Sequence, residues 1–200
     1  MKALIFAAGK GTRLKPFTDN HPKALALVND VPLLERNIKY LQSFGINDFV
    51  INIHHFGQQI SEFLKKNNNF NSNIELSDEK EELLETGGGL VFAKKFLNHG
   101  EDFLIMNADI LTDLDLNFFV EYRKEKKDFA TLAVSDRRSS RKLLFNPEIF
   151  NKMKRTGKFS IMEEYLDLMS DESIHGYEHS ATIIDVGRPE SITEAEKIFK

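Results

Sequence analysis

The feature that most constrains this chain is a short apolar run near its start that ends in a glycine-rich segment. Residues 3–8 read Ala-Leu-Ile-Phe-Ala-Ala, which is typical of one buried parallel strand. At Gly9 and Gly11, which follow, a backbone without side chains can approach a polyanion closely. Thr12 and Arg13 add a hydroxyl and a guanidinium. The pattern predicts a strand that runs into a phosphate-binding loop.

Two common phosphate-binding motifs do not fit the spacing of this loop. A P-loop needs G-x-x-x-x-G-K-[ST], but Leu4 stands where its first glycine should be. A dinucleotide fingerprint needs a third glycine at position 14, and that residue is leucine. The spacing therefore disfavours a nicotinamide-binding dehydrogenase. A plain glycine-rich turn with surface charges stays open as the simpler alternative.

The longer pattern that begins at Gly9, G-x-G-T-R-L-x-P-x-T followed by Pro22-Lys23, resembles the signature of the sugar-1-phosphate nucleotidyltransferases. The resemblance implies that Arg13 and Lys23 act on the phosphates during the reaction. It also implies nucleotide contacts from the residues of this loop, namely Ala7, Ala8, Gly9, Gly11, Thr12 and Arg13.

A second glycine-rich segment follows Leu84 and precedes a helical pattern of apolar residues. Its glycines predict either a flexible turn or a helix start whose amides face a ligand. The segment also resembles the E-T-x-G-G motif of the same family. That resemblance implies that the nucleotide contacts Glu85, Thr86, Gly87 and Gly88.

Two aspartates follow predicted strands far apart in the sequence. Asp109 comes just after the apolar run 103–106, and Asp185 ends a β-branched run near the C-terminus. The carboxyl ends of parallel strands are where open α/β sheets bind ligands, although either residue could simply cap a turn or helix. The family motifs N-x-D and D-[IV]-G-x-P imply that both bind Mg²⁺ and join Arg13 and Lys23 as catalytic residues.

Composition limits the other possibilities. The chain has 200 residues, no cysteine and a net charge of −4, so we expect no thiolate metal site and no broad nucleic-acid-binding surface. No apolar run approaches the length of a membrane span, and the N-terminus enters a strand at once, which favours a cytoplasmic location. A basic stretch at 136–142 is either a solvated loop or a source of one sugar-phosphate contact.

Alternating predicted strands and helices indicate a single α/β domain over residues 1–200, with a mostly parallel sheet between helices on both faces. This three-layer arrangement is the Rossmann-like, glycosyltransferase-A-like fold that the resemblance implies. In similar proteins more sheet separates S-R-x-L-L-F from N-P-E-[IL]-F, whereas here Phe145 meets Asn146 directly. We therefore expect that a segment is absent at this point, either because the chain is naturally short here or because a loop has been left out.

The resemblance implies an enzyme that transfers a nucleotidyl group from a nucleoside triphosphate to a sugar 1-phosphate and releases pyrophosphate, with Mg²⁺ as cofactor. The sequences around Glu85 and Asp109, E-T-G-G-G and N-A-D, most resemble those of uridylyltransferases for N-acetylmuramate 1-phosphate and of mannose- or heptose-1-phosphate guanylyltransferases. UTP is the first expectation and GTP the second. A non-catalytic nucleotide-sensing domain of the same fold is the alternative from another class.

Overall fold

The structure, a computed structural model, describes residues 1–80, 82–135 and 142–200. Its strands are β1 (Lys2–Phe6), β2 (Leu27–Val28), β3 (Val31–Pro32), β4 (Asp48–Ile53), β5 (Asn73–Asp78), β6 (Phe103–Asn107), β7 (Ile110–Thr112), β8 (Ala130–Val134), β9 (Lys142–Phe145), β10 (Ile174–Glu178) and β11 (Ile183–Asp185). Its helices are α1 (Leu33–Ser43), α2 (Gly57–Lys66), α3 (Glu85–Leu97), α4 (Leu116–Lys126), α5 (Ile149–Lys152), α6 (Ile161–Leu168) and α7 (Pro189–Ile198).

The central sheet has seven strands in the order β10-β8-β9-β6-β1-β4-β5. Strand β9 runs antiparallel to both of its neighbours, and the other pairings are parallel. The predicted mostly parallel α/β sheet is confirmed. Because β1 lies between β4 and β6, the loop that leaves β1 emerges in the middle of the carboxyl edge, where such sheets bind ligands.

Alternating side chains of the central strands divide the core between the two faces of the sheet. Ala3 and Ile5 of β1 pack in one apolar cluster with residues of α1, α2 and α4. Leu4 faces the other way, in a second cluster with residues of α3, α5 and α6. A strand buried on both faces needs a continuous apolar run, and this is why residues 3–8 have little alternation. The predicted helices on both faces are confirmed.

A smaller unit sits beside the main sheet. Strands β7 and β11 pair antiparallel as a separate two-stranded sheet. A third apolar cluster joins this pair to the rest of the fold, and its buried members are Leu14, Ala26, Val28, Leu33, Leu111, Ile184, Val186 and Ala195. The strand predicted near Asp185 is therefore present as β11, but it lies outside the main sheet.

Two further details differ from the sequence-based expectations. Strand β10, at the edge of the main sheet, has mixed polarity and was not expected. Helix α3 begins at Glu85, so the three glycines lie inside its first turns. Propensity does not favour glycine in a helix, and tertiary packing overrides it here.

Two sequence-based expectations stay predictions. Residues 136–141 of the basic stretch lie outside the described residues. Strand β9 ends at Phe145, and the amide of Asn146 donates to the Phe129 carbonyl at 3.2 Å. The absence of a segment between Phe145 and Asn146 stays a prediction. Within the described ranges, no helix combines the length and apolar character needed to span a bilayer.

Candidate active site

A buried leucine fixes the loop that follows β1. Leu14 is 2% exposed and packs in the third cluster with Ile184 and Val186. It ends a 3₁₀ turn, Thr12–Leu14. The side chain that replaces the third glycine of a dinucleotide fingerprint therefore anchors the loop against β11, and this places Arg13 near the end of that strand.

Close packing at Gly11 brings Lys23 to the same loop. Gly11 has φ of +62°, and a Cβ atom there would lie 2.8 Å from Lys23 Cβ and 2.9 Å from Thr18 Cγ2. Thr18 Oγ1 donates a hydrogen bond to the Gly11 carbonyl at 2.9 Å. Position 11 therefore requires glycine both for its left-handed conformation and for space, and Lys23 is held beside the loop as a result.

Asp109 lies in the turn between β6 and β7, and hydrogen bonds from three directions hold this turn. Ala108 N donates to the carbonyl of Phe6 at 2.9 Å, and Val186 N donates to the carbonyl of Asp109 at 2.8 Å. The buried Asn37 side chain donates from Nδ2 to the Ala108 carbonyl at 2.8 Å. The turn is thus tied to β1, to α1 and to the segment after β11.

Asp185 ends β11, opposite Ile110 in the small sheet. The segment after β11 contains Gly187, where a Cβ atom would lie 2.7 Å from Asp185 Oδ1 and 2.9 Å from Arg13 Nη2. Arg13 Nη2 itself lies 3.9 Å from Asp185 Oδ2. Gly187 therefore leaves the space in which the carboxylate and the guanidinium meet.

The four side chains predicted to be catalytic converge in the structure. Lys23 Nζ forms an ion pair with Asp109 Oδ2 and lies 3.9 Å from Asp185 Oδ1. The side chains of Lys23 and Asp109 are 11% and 17% exposed, so salt screens this pair less than it screens a surface pair. Two carboxylates and two cations from distant parts of the sequence thus form one charged cluster next to the loop after β1.

This cluster offers donors that suit a hard divalent cation. Mg²⁺ in enzymes is commonly bound by one or two carboxylates, with waters and substrate phosphates completing its shell. Asp109 and Asp185 present two carboxylates around Lys23, which matches that donor set. Across the described ranges no group of three or more His, Asp or Glu side chains is arranged to hold a metal ion, so a metal here would need further ligands from substrate or water.

A pocket of about 380 Å³ opens beside the charged cluster. Both Lys23 and Asp109 contribute to its wall. The pocket is lined by Phe6, Ala7, Ala8, Gly9, Lys23, Ala24, Asn52, Leu83, Glu85, Thr86, Asn107, Ala108, Asp109 and Ser160. Residues of the two glycine-rich segments therefore contribute two walls of one pocket, and Lys23 and Asp109 of the charged cluster also line it.

The second segment divides between the pocket and the protein interior. Glu85 and Thr86 line the pocket, and Glu85 has φ of +61°, which is uncommon for a residue with a side chain. The amides of Gly87 and Gly88 donate to the Phe159 carbonyl at 2.9 and 3.3 Å. The structure thus places these two glycines against the segment before α6, outside the pocket lining.

Neither glycine has room for a side chain. A Cβ atom at Gly87 would lie 2.3 Å from the Phe159 ring, and one at Gly88 would lie 2.1 Å from the Gly157 carbonyl oxygen. The close approach that glycine permits here is made by another part of the chain. A nucleotide contact at Gly87 or Gly88 stays a prediction from the resemblance.

Sequence reasoning missed two buried polar residues that lie between the pocket walls. Asn52 and Glu79 are each 2% exposed, and each lies at the carboxyl end of a strand, as Asp109 does. That shared position was a signal available in the sequence. Burial raises the pKa of Glu79, and hydrogen bonds from Leu84 N and the Asn52 side chain partly offset this.

The fold and the site together define an α/β protein with a glycine-rich loop, a charged cluster and a pocket at the carboxyl edge of its sheet. The family model described as nucleotidyl transferase matches residues 2–143. The chain belongs to this family.

Comparison with individual proteins gives the same picture. The chain is 41% identical over 115 residues to N-acetylmuramate alpha-1-phosphate uridylyltransferase from Neisseria meningitidis, covering 58% of this chain and 49% of the relative. It is 24% identical over 234 residues to a mannose-1-phosphate guanyltransferase from Hypocrea jecorina, covering 100% of this chain and 64% of the relative. The chain therefore spans about half to two-thirds of the length of these two relatives.

A solved structure shares the fold. HddC from Yersinia pseudotuberculosis, complexed with GMP-PN, superimposes with a TM-score of 0.82 and 23% identity, covering 100% of this chain and 99% of that protein. At this level of identity the likeness concerns the fold, which it supports over the whole chain.

Proposed function

We propose that this chain transfers a nucleotidyl group from a nucleoside triphosphate to a sugar 1-phosphate and releases pyrophosphate. The observation that carries the proposal is the convergence of Arg13, Lys23, Asp109 and Asp185 beside the pocket. Membership of the nucleotidyl transferase family supports the same reaction class.

In this reaction a phosphate oxygen of the sugar phosphate forms a bond to the α-phosphorus of the triphosphate. The bond from that phosphorus to the oxygen bridging the α and β positions breaks, and its electron pair leaves with pyrophosphate. No protein nucleophile is needed, so catalysis depends on positioning and on neutralising charge. The cluster offers both, because Lys23 lies in the pocket wall and Arg13 lies beside Asp185 in the same cluster.

Each residue of the cluster has a distinct role in the proposal. The loop from Gly9 to Arg13 holds the triphosphate, and Arg13 offsets negative charge on the leaving pyrophosphate. Lys23 lies in the pocket wall and orients the reacting phosphates. Asp109 and Asp185 would hold Mg²⁺, which would supply positive charge to neutralise the substrate phosphates.

UTP is the first candidate for the nucleotide, because the relative that is 41% identical is a uridylyltransferase. GTP is the second, since the guanyltransferase match covers 100% of this chain. The acceptor sugar follows the same division, with an N-acetylated sugar 1-phosphate first and mannose 1-phosphate second.

The test is pyrophosphate release with each of the four nucleoside triphosphates against a panel of sugar 1-phosphates, with and without Mg²⁺. We expect release with UTP or GTP, dependent on Mg²⁺. Asp109→Asn and Asp185→Asn should each reduce the rate by about 10²–10³-fold while the protein stays folded. Asp48→Asn is a matched control, because Asp48 begins β4 and so lies at the amino end of the strand, away from the carboxyl ends that carry the charged cluster.

Two outcomes would count against the proposal. Near-normal rates in both aspartate variants would remove the role of the charged cluster. Nucleotide binding by calorimetry without pyrophosphate release for any pair would favour the nucleotide-sensing alternative.

A further inference from the structure

A buried carboxylate lies between the two walls of the pocket. Glu79 Oε1 accepts a hydrogen bond from Asn52 Nδ2 at 2.7 Å. Its other oxygen, Oε2, accepts from the amide of Leu84 at 2.9 Å, next to the first residue of α3. One side of Glu79 is therefore joined to the wall that contains Leu83, Glu85 and Thr86.

Asn52 extends this connection to the wall formed by the residues that follow β1. Its Oδ1 atom accepts hydrogen bonds from the amides of Ala7 and Ala8 at 2.7 and 3.3 Å. Both alanines follow β1 and line the pocket, as does Asn52 itself. Four hydrogen bonds thus run without a break from the loop after β1, through Asn52 and Glu79, to the start of α3.

The third glycine of α3 is explained by the same pair. A Cβ atom at Gly89 would lie 2.7 Å from Glu79 Oε1 and 3.0 Å from Asn52 Nδ2. The backbone of α3 therefore lies directly on the pair. Because Asn52 and Glu79 are both buried, water does not replace these hydrogen bonds easily, and a lost partner leaves an unsatisfied polar group.

We propose that Asn52 and Glu79 are positioning residues that hold the two walls of the nucleotide pocket in register. This inference rests on the proposed function and concerns the same pocket, but it assigns no contact with the reacting phosphates. Its consequence is that disturbing the pair changes nucleotide affinity more than it changes the rate of the chemical step.

The direction of each hydrogen bond makes the pair specific. Asn52 must accept from the two alanine amides and donate to position 79, and position 79 must accept from both Asn52 and Leu84. In Glu79→Gln the amide nitrogen faces another donor. In Asn52→Asp two carboxylates face each other. Each single substitution therefore breaks the chain of hydrogen bonds with almost no change in shape.

The double variant Asn52→Asp with Glu79→Gln restores every hydrogen bond, with the negative charge moved from position 79 to position 52. The aspartate accepts from both alanine amides and from the glutamine Nε2, and the glutamine Oε1 accepts from Leu84. A pair that acts by orientation should therefore recover in the double variant, which is a double-mutant cycle with a designed rescue. Glu75→Gln, on the same strand as the residues just before Glu79, is the control for the substitution itself.

Two measurements test the proposal on the full chain. Steady-state kinetics should show KM for the nucleotide raised about 10-fold in each single variant, kcat changed less than 3-fold, and KM of the double variant within about 3-fold of wild type. Amide hydrogen exchange should show faster exchange at Ala7, Ala8 and Leu84 in the single variants and recovery in the double variant.

Singles with unchanged KM, or a double variant no better than the worse single, would overturn the proposal. Loss of kcat with unchanged KM would also overturn it. If wild type transfers no nucleotide to any acceptor, the proposed function fails on its own, and the exchange rates of the three amides still decide whether the pair orders the two walls.

Discussion

Replacing Gly88 by alanine tests whether the second glycine-rich segment serves to dock another part of the chain. The added Cβ would lie 2.1 Å from the carbonyl oxygen of Gly157, which belongs to the backbone and cannot rotate away. We expect the segment around Gly157 to move off α3. The consequence should be a loss of stability in the free protein, before any ligand is considered.

The magnitude follows from the hydrogen bonds that join the two parts. Gly87 N and Gly88 N donate to the Phe159 carbonyl at 2.9 and 3.3 Å, and Phe159 N donates to Leu84 O at 3.2 Å. Ile161 N donates to Thr86 Oγ1 at 3.0 Å. At about 1 kcal/mol net for each, their loss costs roughly 4 kcal/mol. Alanine returns up to about 1 kcal/mol through its higher helix propensity, which leaves about 3 kcal/mol.

Urea unfolding followed by circular dichroism measures this difference, and for a chain of this size it corresponds to a fall in Tm of roughly 6–12 °C. Gly9→Ala is the matched control, because a Cβ atom there has no neighbour within 4 Å. A Gly88→Ala protein as stable as wild type would show that the close approach to Gly157 is not a feature of the folded chain.

Two further outcomes follow from the same structure. Gly9→Ala should leave the free energy of unfolding within about 0.5 kcal/mol of wild type, because the added Cβ has no neighbour within 4 Å. Since Gly9 lines the pocket, KM for the nucleotide should rise, and an unchanged KM would remove the loop from the triphosphate site. Burial raises the pKa of Glu79 above its ordinary value of 4.5, so the folded protein binds this proton more tightly than the unfolded chain. The stability that this proton contributes is complete below pH 4.5 and is lost as pH rises from 4.5 through the raised pKa. The Tm of wild type minus the Tm of Glu79→Gln should therefore fall as pH rises through that range. A rise in this difference would contradict the burial of the charge.

Sequence reasoning reached the class of fold and the charged residues because local patterns carry both. The apolar run before Gly9 is typical of a strand buried on both faces, and the loop after it resembles the signature of one family. Asp109 and Asp185 were predicted from their places at strand ends together with the family motifs N-x-D and D-[IV]-G-x-P. Their approach to Lys23 was an expectation, and the folded chain brings them together.

The same reasoning gave less about the second glycine-rich segment. A run of three glycines indicates that something approaches the backbone closely, but not what approaches it. In the structure Gly87 meets Phe159, Gly88 meets Gly157, and Gly89 meets Glu79 and Asn52. These neighbours come from three other parts of the chain, so no window of local sequence contains them.

The sequence by itself determined the strand, the loop and the residue types that can hold phosphate and metal, since periodicity and spacing act over a few residues. Tertiary structure alone decided that Leu14 packs on Ile184 and Val186, which draws Arg13 to Asp185. It also decided that Asn52 joins the loop after β1 to Glu79 and α3. Such pairings depend on which distant segments share a buried surface, and that is set by the packing of the whole chain.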